Sequence, residues 1–177
     1  MARTKNYINN KTLYASMIQH RNLLENAVKN NKPKPQLSNY IGQSILLICN
    51  NLAKKPNFSG YSYKEDMIND GIMDCIAAVD NFNPEKTNTP FAYFTQIVYF
   101  AFLRRIQKEK KQLYVKYKAT EQIGILDEFE MMEFEDGTSK QFELYDNIAE
   151  FIENYEEAKE NKKAVKKPKG IEKFLDE

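Results

Sequence analysis

The sequence predicts an all-α fold, a helical bundle followed by an acidic helical segment and a flexible tail. Apolar residues recur three or four positions apart over several long stretches, and clusters rich in proline, glycine and asparagine separate these stretches. No stretch alternates apolar and polar residues as a half-buried strand does. The chain has 177 residues, 42% of them hydrophobic, which is enough for one compact domain with appendages.

The first two predicted helices are separated by the break KPKP, which starts at Lys32. The first helix covers about residues 10–30, and the second follows Ser38, which can act as its N-cap. Each has an apolar stripe that predicts burial. The first stripe contains Leu13, Met17, His20, Leu24 and Val28, and the second contains Ile41, Ile45, Ile48 and Leu52, widened by Leu46 and Leu47.

The third predicted helix contains the stretch DMINDGIMDCIAAVDNF and follows a loop over residues 54–62. Asp66, Asp70 and Asp74 lie one turn apart on it, and like charges at this spacing repel by roughly a few tenths of a kcal/mol per pair. The polar face comprises Asp66, Asn69, Asp70, Met73 and Asp74. The apolar face comprises Met67, Ile68, Gly71, Ile72, Cys75, Ile76 and Val79. The acidic row is either a solvated face or the counterpart of a basic partner that offsets the repulsion.

The fourth predicted helix starts at Pro90, because proline fits the first helical position, and continues to about Lys118. Its first half is aromatic and its second half is basic. One stripe therefore passes from aromatic to basic residues: Tyr93, Ile97, Phe100, Arg104, Lys108 and Lys111. Such a stripe can stack unpaired bases and bind duplex phosphates, although an aromatic core with a solvated basic face is the alternative.

Charge is strongly uneven along the chain, although the net charge is only +1. Residues 104–120 contain 7 Lys or Arg and 1 Asp or Glu, whereas residues 121–160 contain 2 Lys or Arg and 14 Asp or Glu. This asymmetry suggests a nucleic-acid surface and an acidic interaction segment. We expect a helical domain at 1–120, an acidic extension at 121–158 that is irregular to about 137 and helical from 141, a basic linker at 159–170 and a terminal peptide at 171–177.

Several classes of protein are disfavoured by what the sequence lacks. His20 is the only histidine, and the chain has neither a GxSxG motif nor a phosphate-binding glycine loop, so we expect no enzyme activity and no cofactor. Cys49 and Cys75 have no CxxC spacing and are expected to be buried free thiols rather than metal ligands. Without a signal region or a membrane-length apolar run, we expect a cytoplasmic protein.

The stretch DMINDGIMDCIAAVDNF resembles the core-binding helix in region 2 of the sigma-70 family of bacterial transcription initiation factors, which reads approximately DLIQEGNIGLMKAVDKF. The matching positions are Asp66, Ile68, Gly71, Ala78, Val79, Asp80 and Phe82, with conservative changes at Met67 and Asp70. In that family a short loop and an aromatic helix follow, as they do here. The resemblance covers about residues 37–111, and the short length and acidic tail resemble the branch that serves late transcription in T-even-type bacteriophages.

The resemblance implies two binding surfaces. The acidic helix of the family binds the coiled coil of the β′ subunit of RNA polymerase. Here that role falls on Asp66, Asn69 and Asp70, and on Met73 and Asp74 of the same face. The next helix binds promoter DNA at the minus-ten element, and its base-stacking aromatic aligns with Phe94. The implied DNA-binding residues are Phe91, Tyr93, Phe94, Ile97, Phe100, Arg104, Arg105, Lys108 and Lys111.

The sequence also departs from the family. The paired tryptophans align with Ile97 and Val98, and a glutamine that helps to read the duplex aligns with Ala101. Strand separation should therefore be weaker or fall to Phe94, Tyr99 or Phe100.

The promoter-reading helix-turn-helix of region 4 has no counterpart after residue 118. In the phage branch a co-activator and the DNA sliding clamp replace it, and a short hydrophobic C-terminus binds the clamp. Ile171, Phe174 and Leu175 match such a peptide, and a frayed terminus is the alternative.

The main prediction is therefore a sigma factor that binds host core RNA polymerase and opens a minus-ten-like promoter. A DNA-binding regulator that acts without polymerase is one alternative. A metal-dependent phosphohydrolase that uses Asp66, Asp70 and Asp74 is another.

Overall fold

The computed structural model describes residues 7–123 and 139–166, with side chains at 7–123 and 147–162. Every regular element in this part of the chain is helical, which confirms the all-α prediction. The chain divides into two compact units, Met1–Gln107 and Lys108–Glu177, so the first unit ends before the predicted boundary at residue 120.

The helices occur in the predicted order. They are α1 (Asn10–Lys29), α2 (Asn39–Ala53), α3 (Pro56–Ser59), α4 (Lys64–Ala78) followed by a 3₁₀ turn (Val79–Asn81), α5 (Pro90–Gln122) and α6 (Ser139–Lys166). The prediction of a loop throughout 54–62 was wrong at α3. Pro56 fits the first turn of that short helix, and burial of the Phe58 ring against the core stabilises it.

Side chains cap the starts of α1, α2 and α5 in the first unit. The Asn9 carboxamide oxygen accepts hydrogen bonds from the backbone N–H groups of the first turn of α1. The Ser38 hydroxyl accepts one from the N–H of Ile41 at 3.4 Å, which confirms the predicted cap of α2. At the start of α5, the N–H of Phe91 donates to the carboxamide oxygen of Asn10, so a side chain of α1 caps the N-terminus of α5.

The core of the first unit is built around α2, α4 and α5. Its fully or nearly fully buried side chains include Leu13, Met17, Ile41, Ile45, Ile48, Cys49, Met67, Cys75, Phe94, Val98 and Phe102. Burial was predicted wrongly at the edges of three stripes. Val28 is 77% exposed because Ala27 continues the α1 stripe, and Ile76, Leu46 and Leu47 lie on solvent-facing sides of their helices.

Gly71 lets α4 approach α2 and α5 closely. A methyl group at this position would lie 3.1 Å from a Val98 methyl carbon, 3.2 Å from the Phe102 ring and 3.4 Å from the Cys49 sulfur. The absence of a side chain therefore sets the distance between these helices, and it brings the polar edge of α4 within reach of the arginines on α5.

In the second unit, α6 packs on the second half of α5. Ile148 and Ile152 are buried, and the Tyr114 and Tyr155 rings stack at a centroid distance of 4.4 Å. The predicted helical spacing is confirmed, and α6 continues to Lys166, into the segment 159–170 that was predicted as a basic linker. Lysine, glutamate and alanine favour helix, and no proline occurs between Ser139 and Lys167.

Candidate functional site

The polar face predicted on the third helix lies on α4 and divides into two parts. Asp66, Asn69 and Met73 are exposed, and Met73 retains 66% of its accessible surface. Asp70 and Asp74 are half-buried, on the side of α4 that faces α5. One part of the polar face is therefore open to solvent, and the other part contacts α5.

Asp70 forms a two-point ion pair with Arg105 of α5. The Nε and Nη2 atoms of Arg105 donate to the two carboxylate oxygens at 2.7 and 2.9 Å. The arginine side chain is only 16% exposed and the aspartate side chain 39%. A planar guanidinium that meets a carboxylate at both oxygens restricts both side chains to one arrangement.

Asp74 and Arg104 form a second ion pair between the same helices, with Nη2 donating to Oδ2. Both of these side chains are more exposed than Arg105. The two pairs explain why acidic residues can repeat at i,i+4 on α4, since cations of the same chain offset most of the mutual repulsion. Among the described residues, Asp66 is the member of the row without an ion pair.

The aromatic half of α5 turns one side to the core. Phe94, the predicted base-stacking residue, is fully buried, so its ring is not accessible to a base in this conformation. Phe91, Tyr93 and Ile97 pack against the core and are partly buried. The Tyr93 hydroxyl donates to the carbonyl oxygen of Ala78 at 2.8 Å, and burial raises its pKa.

Phe100 and Tyr99 are the exposed aromatic residues of this part of α5. Phe100 retains 48% of its surface and Tyr99 42%, and their ring centroids are 5.8 Å apart. Tyr99 also meets Phe58 of α3 edge to face, at 5.8 Å. Helical spacing placed Phe100 on the predicted stripe, whereas Tyr99 lies next to it, with its ring against Phe58 of α3.

A charged cluster that the sequence analysis missed lies where α4 ends. Asp80 accepts from Nε2 of His20 at 3.2 Å and contacts Nζ of Lys34 at 2.5 Å. Lys34, and to a smaller extent His20, hold the pKa of the Asp80 carboxyl below its usual range. The cluster connects α1 and the following KPKP segment to the end of α4. Its only signal in the sequence was His20 on an apolar stripe.

Cys49 and Cys75 are buried free thiols, as predicted. The Cys75 sulfur lies 3.8 Å from the carbonyl oxygen of Phe94. A hydrogen bond with Cys49, together with burial, raises the pKa of the Cys75 thiol. In the described residues, no group of three or more histidine, cysteine, aspartate or glutamate side chains is arranged to hold a metal ion.

The basic residues further along α5 belong to the second unit. Lys108 and Lys111 are exposed, whereas Lys118 contacts Glu121 at 2.8 Å and Glu156 of α6 at 3.5 Å. The Tyr114 hydroxyl donates to Glu156 at 2.7 Å, which raises the pKa of the tyrosine and lowers that of the glutamate. Aromatic contacts with α6 thus hold this part of α5 while Lys108 and Lys111 stay open to solvent.

The predicted clamp-binding residues, Ile171, Phe174 and Leu175, lie outside the described residues. No helix in the described part of the chain is both long enough and apolar enough to cross a membrane.

Comparison with protein-family models gives no match for this chain, and comparison with curated protein sequences gives none either. The fold class established by the geometry is an all-α protein, in which the Asp70–Arg105 and Asp74–Arg104 ion pairs connect α4 and α5.

Proposed function

We propose that this chain is a sigma-type transcription initiation factor of the bacteriophage late-transcription branch. It acts in the cytoplasm of a bacterial host, binds core RNA polymerase through α4 and binds promoter DNA through α5. The observation that carries the proposal is the match of DMINDGIMDCIAAVDNF to the family's core-binding helix.

The burial pattern of α4 supports this reading of the match. Met67, Gly71 and Val79 match or resemble the family at positions that are buried here. Asp66 matches at an exposed position, and exposed Asn69 and Met73 lie beside it. A partner helix can therefore reach the matched polar strip without disturbing the core.

The arrangement of α5 supports the DNA-binding part. The exposed rings of Tyr99 and Phe100 can stack on unpaired bases, and exposed Lys108 and Lys111 can neutralise phosphates. With Phe94 in the core, base stacking is assigned to Phe100 and Tyr99. The tail residues Ile171, Phe174 and Leu175 are proposed to bind a DNA sliding clamp, with a phage co-activator supplying upstream contacts.

Co-migration with bacterial core RNA polymerase tests the polymerase-binding part. The full chain should form a complex, and Asp66→Lys should weaken it by about tenfold or more, since it reverses a charge that forms no ion pair with any residue the structure describes. Glu85→Lys is the matched control, because Glu85 is an exposed acid outside α4. Failure of the wild-type chain to co-migrate, or equal binding by Asp66→Lys, would overturn this assignment.

Reconstituted transcription with and without a sliding clamp tests the tail. Phe174→Ala should abolish the stimulation by the clamp and leave basal initiation intact. Equal loss of both activities would argue against a separate clamp-binding peptide.

A DNA-binding regulator that acts without polymerase is the second candidate, favoured by the exposed lysines of α5. It predicts that the free protein binds duplex promoter DNA as tightly as the polymerase complex does. The sigma assignment predicts much weaker binding by the free protein, and a side-by-side titration separates the two. A metal-dependent phosphohydrolase is not favoured, because Asp70 and Asp74 are already engaged by arginines.

A further inference from the structure

The two arginines at the start of the basic half of α5 differ in their surroundings. Arg104 is 61% exposed, and one of its terminal nitrogens contacts Asp74. Arg105 is 16% exposed, and both Nε and Nη2 donate to Asp70. A residue that binds DNA phosphates must present donors to solvent, and Arg105 directs two of its donors at its own chain.

We infer that Arg105 is a positioning residue for the polymerase-binding surface and not a phosphate ligand. This inference rests on the proposed function. From α5, the guanidinium holds the Asp70 carboxylate at both oxygens, and so fixes the edge of α4 next to Asn69 and Asp66. To bind a phosphate, Arg105 would have to give up two charge-assisted hydrogen bonds and leave Asp70 half-buried without its cation.

The contact geometry gives the arginine side chain a role that its charge alone cannot fill. A lysine at position 105 would supply the same charge but would contact the carboxylate as a single point, without the fork that fixes its orientation. Close packing at Gly71 brings the two helices near enough for this fork to reach. The inference therefore predicts that polymerase binding depends on the shape of residue 105, and that DNA binding does not depend on residue 105 at all.

Two measurements on the full chain test this inference. The first is the affinity for bacterial core RNA polymerase. The second is the slope of log Kd against log salt when the polymerase complex binds an A/T-rich promoter duplex. Arg105→Gln should weaken polymerase binding roughly tenfold and leave the salt slope unchanged. Lys108→Gln, which alters an exposed cation on the next turn of α5, should lower the slope by about 1 and leave polymerase affinity unchanged.

Arg105→Lys supplies the readout that separates positioning from charge. We expect Arg105→Lys to bind polymerase almost as weakly as Arg105→Gln does, because a lysine cannot contact both carboxylate oxygens of Asp70 in a fixed orientation. Full recovery of polymerase affinity by Arg105→Lys would overturn the positioning role, and so would a drop of about 1 in the salt slope of Arg105→Gln. If circular dichroism shows that Arg105→Gln does not fold, the polymerase affinity of Arg105→Lys alone decides whether residue 105 has a positioning role. Failure of the wild-type chain to bind polymerase is a different result, which overturns the proposed function itself.

Discussion

Asp70 of α4 accepts two hydrogen bonds from Arg105 of α5, at 2.7 and 2.9 Å, across 35 positions of sequence. The resemblance to sigma region 2 implied a polymerase contact for the aspartate and a DNA contact for the arginine. The structure pairs the two with each other. Any partner that uses either side chain must therefore share or replace this ion pair, which makes its strength the first quantity to measure.

We expect a double-mutant cycle of Asp70→Asn and Arg105→Gln to give a coupling free energy of about 1 kcal/mol, measured by urea unfolding. The value is modest because solvent screens the partly exposed carboxylate. The Arg21–Glu25 pair of α1 is the matched control, since both side chains are about half exposed at i,i+4. Its coupling should be about 0.3 kcal/mol. A coupling at Asp70 and Arg105 no larger than that of the control would contradict the pairing.

We expect Gly71→Ala to destabilise the first unit by up to about 2 kcal/mol, because the new methyl group would lie 3.1 Å from Val98 and 3.2 Å from Phe102, and displacing these side chains outweighs the gain in helix propensity. Gly42→Ala in α2 is the control. No atom lies within 4 Å of its added methyl group, so it should stabilise the helix by about 0.5–1 kcal/mol. Thermal unfolding of the two variants measures the difference. Equal stabilisation by both would mean that α4 and α5 are not closely packed at Gly71.

The sequence predicted much of the fold and only part of the site, for physical reasons. Helical periodicity identified most buried positions of α2 and α4, because one face of each helix is apolar. It could not predict the Asp70–Arg105 pair, because the register between two helices depends on packing at Gly71. It also could not choose among the aromatic residues of α5. Phe94 and Phe100 are equally apolar, and only the rotation of the helix against the core decides which is exposed.

Asp80 should stabilise the folded protein in a pH-dependent manner. Its folded pKa lies below the ordinary value of 3.8, chiefly because of Lys34. The contribution is therefore complete above that value and is lost as pH falls through the folded pKa. Asp80→Asn should cost about 0.5–1 kcal/mol at pH 7 and clearly less at pH 3. Urea unfolding at the two pH values measures this, with exposed Glu85→Gln as the control. A cost that does not depend on pH would mean that the charge of Asp80 is not responsible.

Truncation of Phe94 and truncation of Phe100 should differ in their effect on the free energy of unfolding. Phe94→Ala removes a fully buried ring and should destabilise the protein by about 3–5 kcal/mol. Phe100→Ala removes a ring that is 48% exposed, so its effect on unfolding should stay within about 0.5 kcal/mol. If Phe100 stacks on an unpaired base, the same variant should weaken binding of the polymerase complex to a premelted A/T-rich duplex by about 1–3 kcal/mol.

Phe94→Leu provides the control for this comparison, because it keeps an apolar side chain in the core and removes only the aromatic ring. We expect it to fold and to bind the premelted duplex as the wild type does. A stable Phe94→Leu protein that loses this binding, together with normal binding by Phe100→Ala, would show that α5 turns to expose Phe94 in the complex. Equal binding by all variants would instead remove both rings from the DNA surface and leave phosphate contacts by Lys108 and Lys111 as the source of affinity.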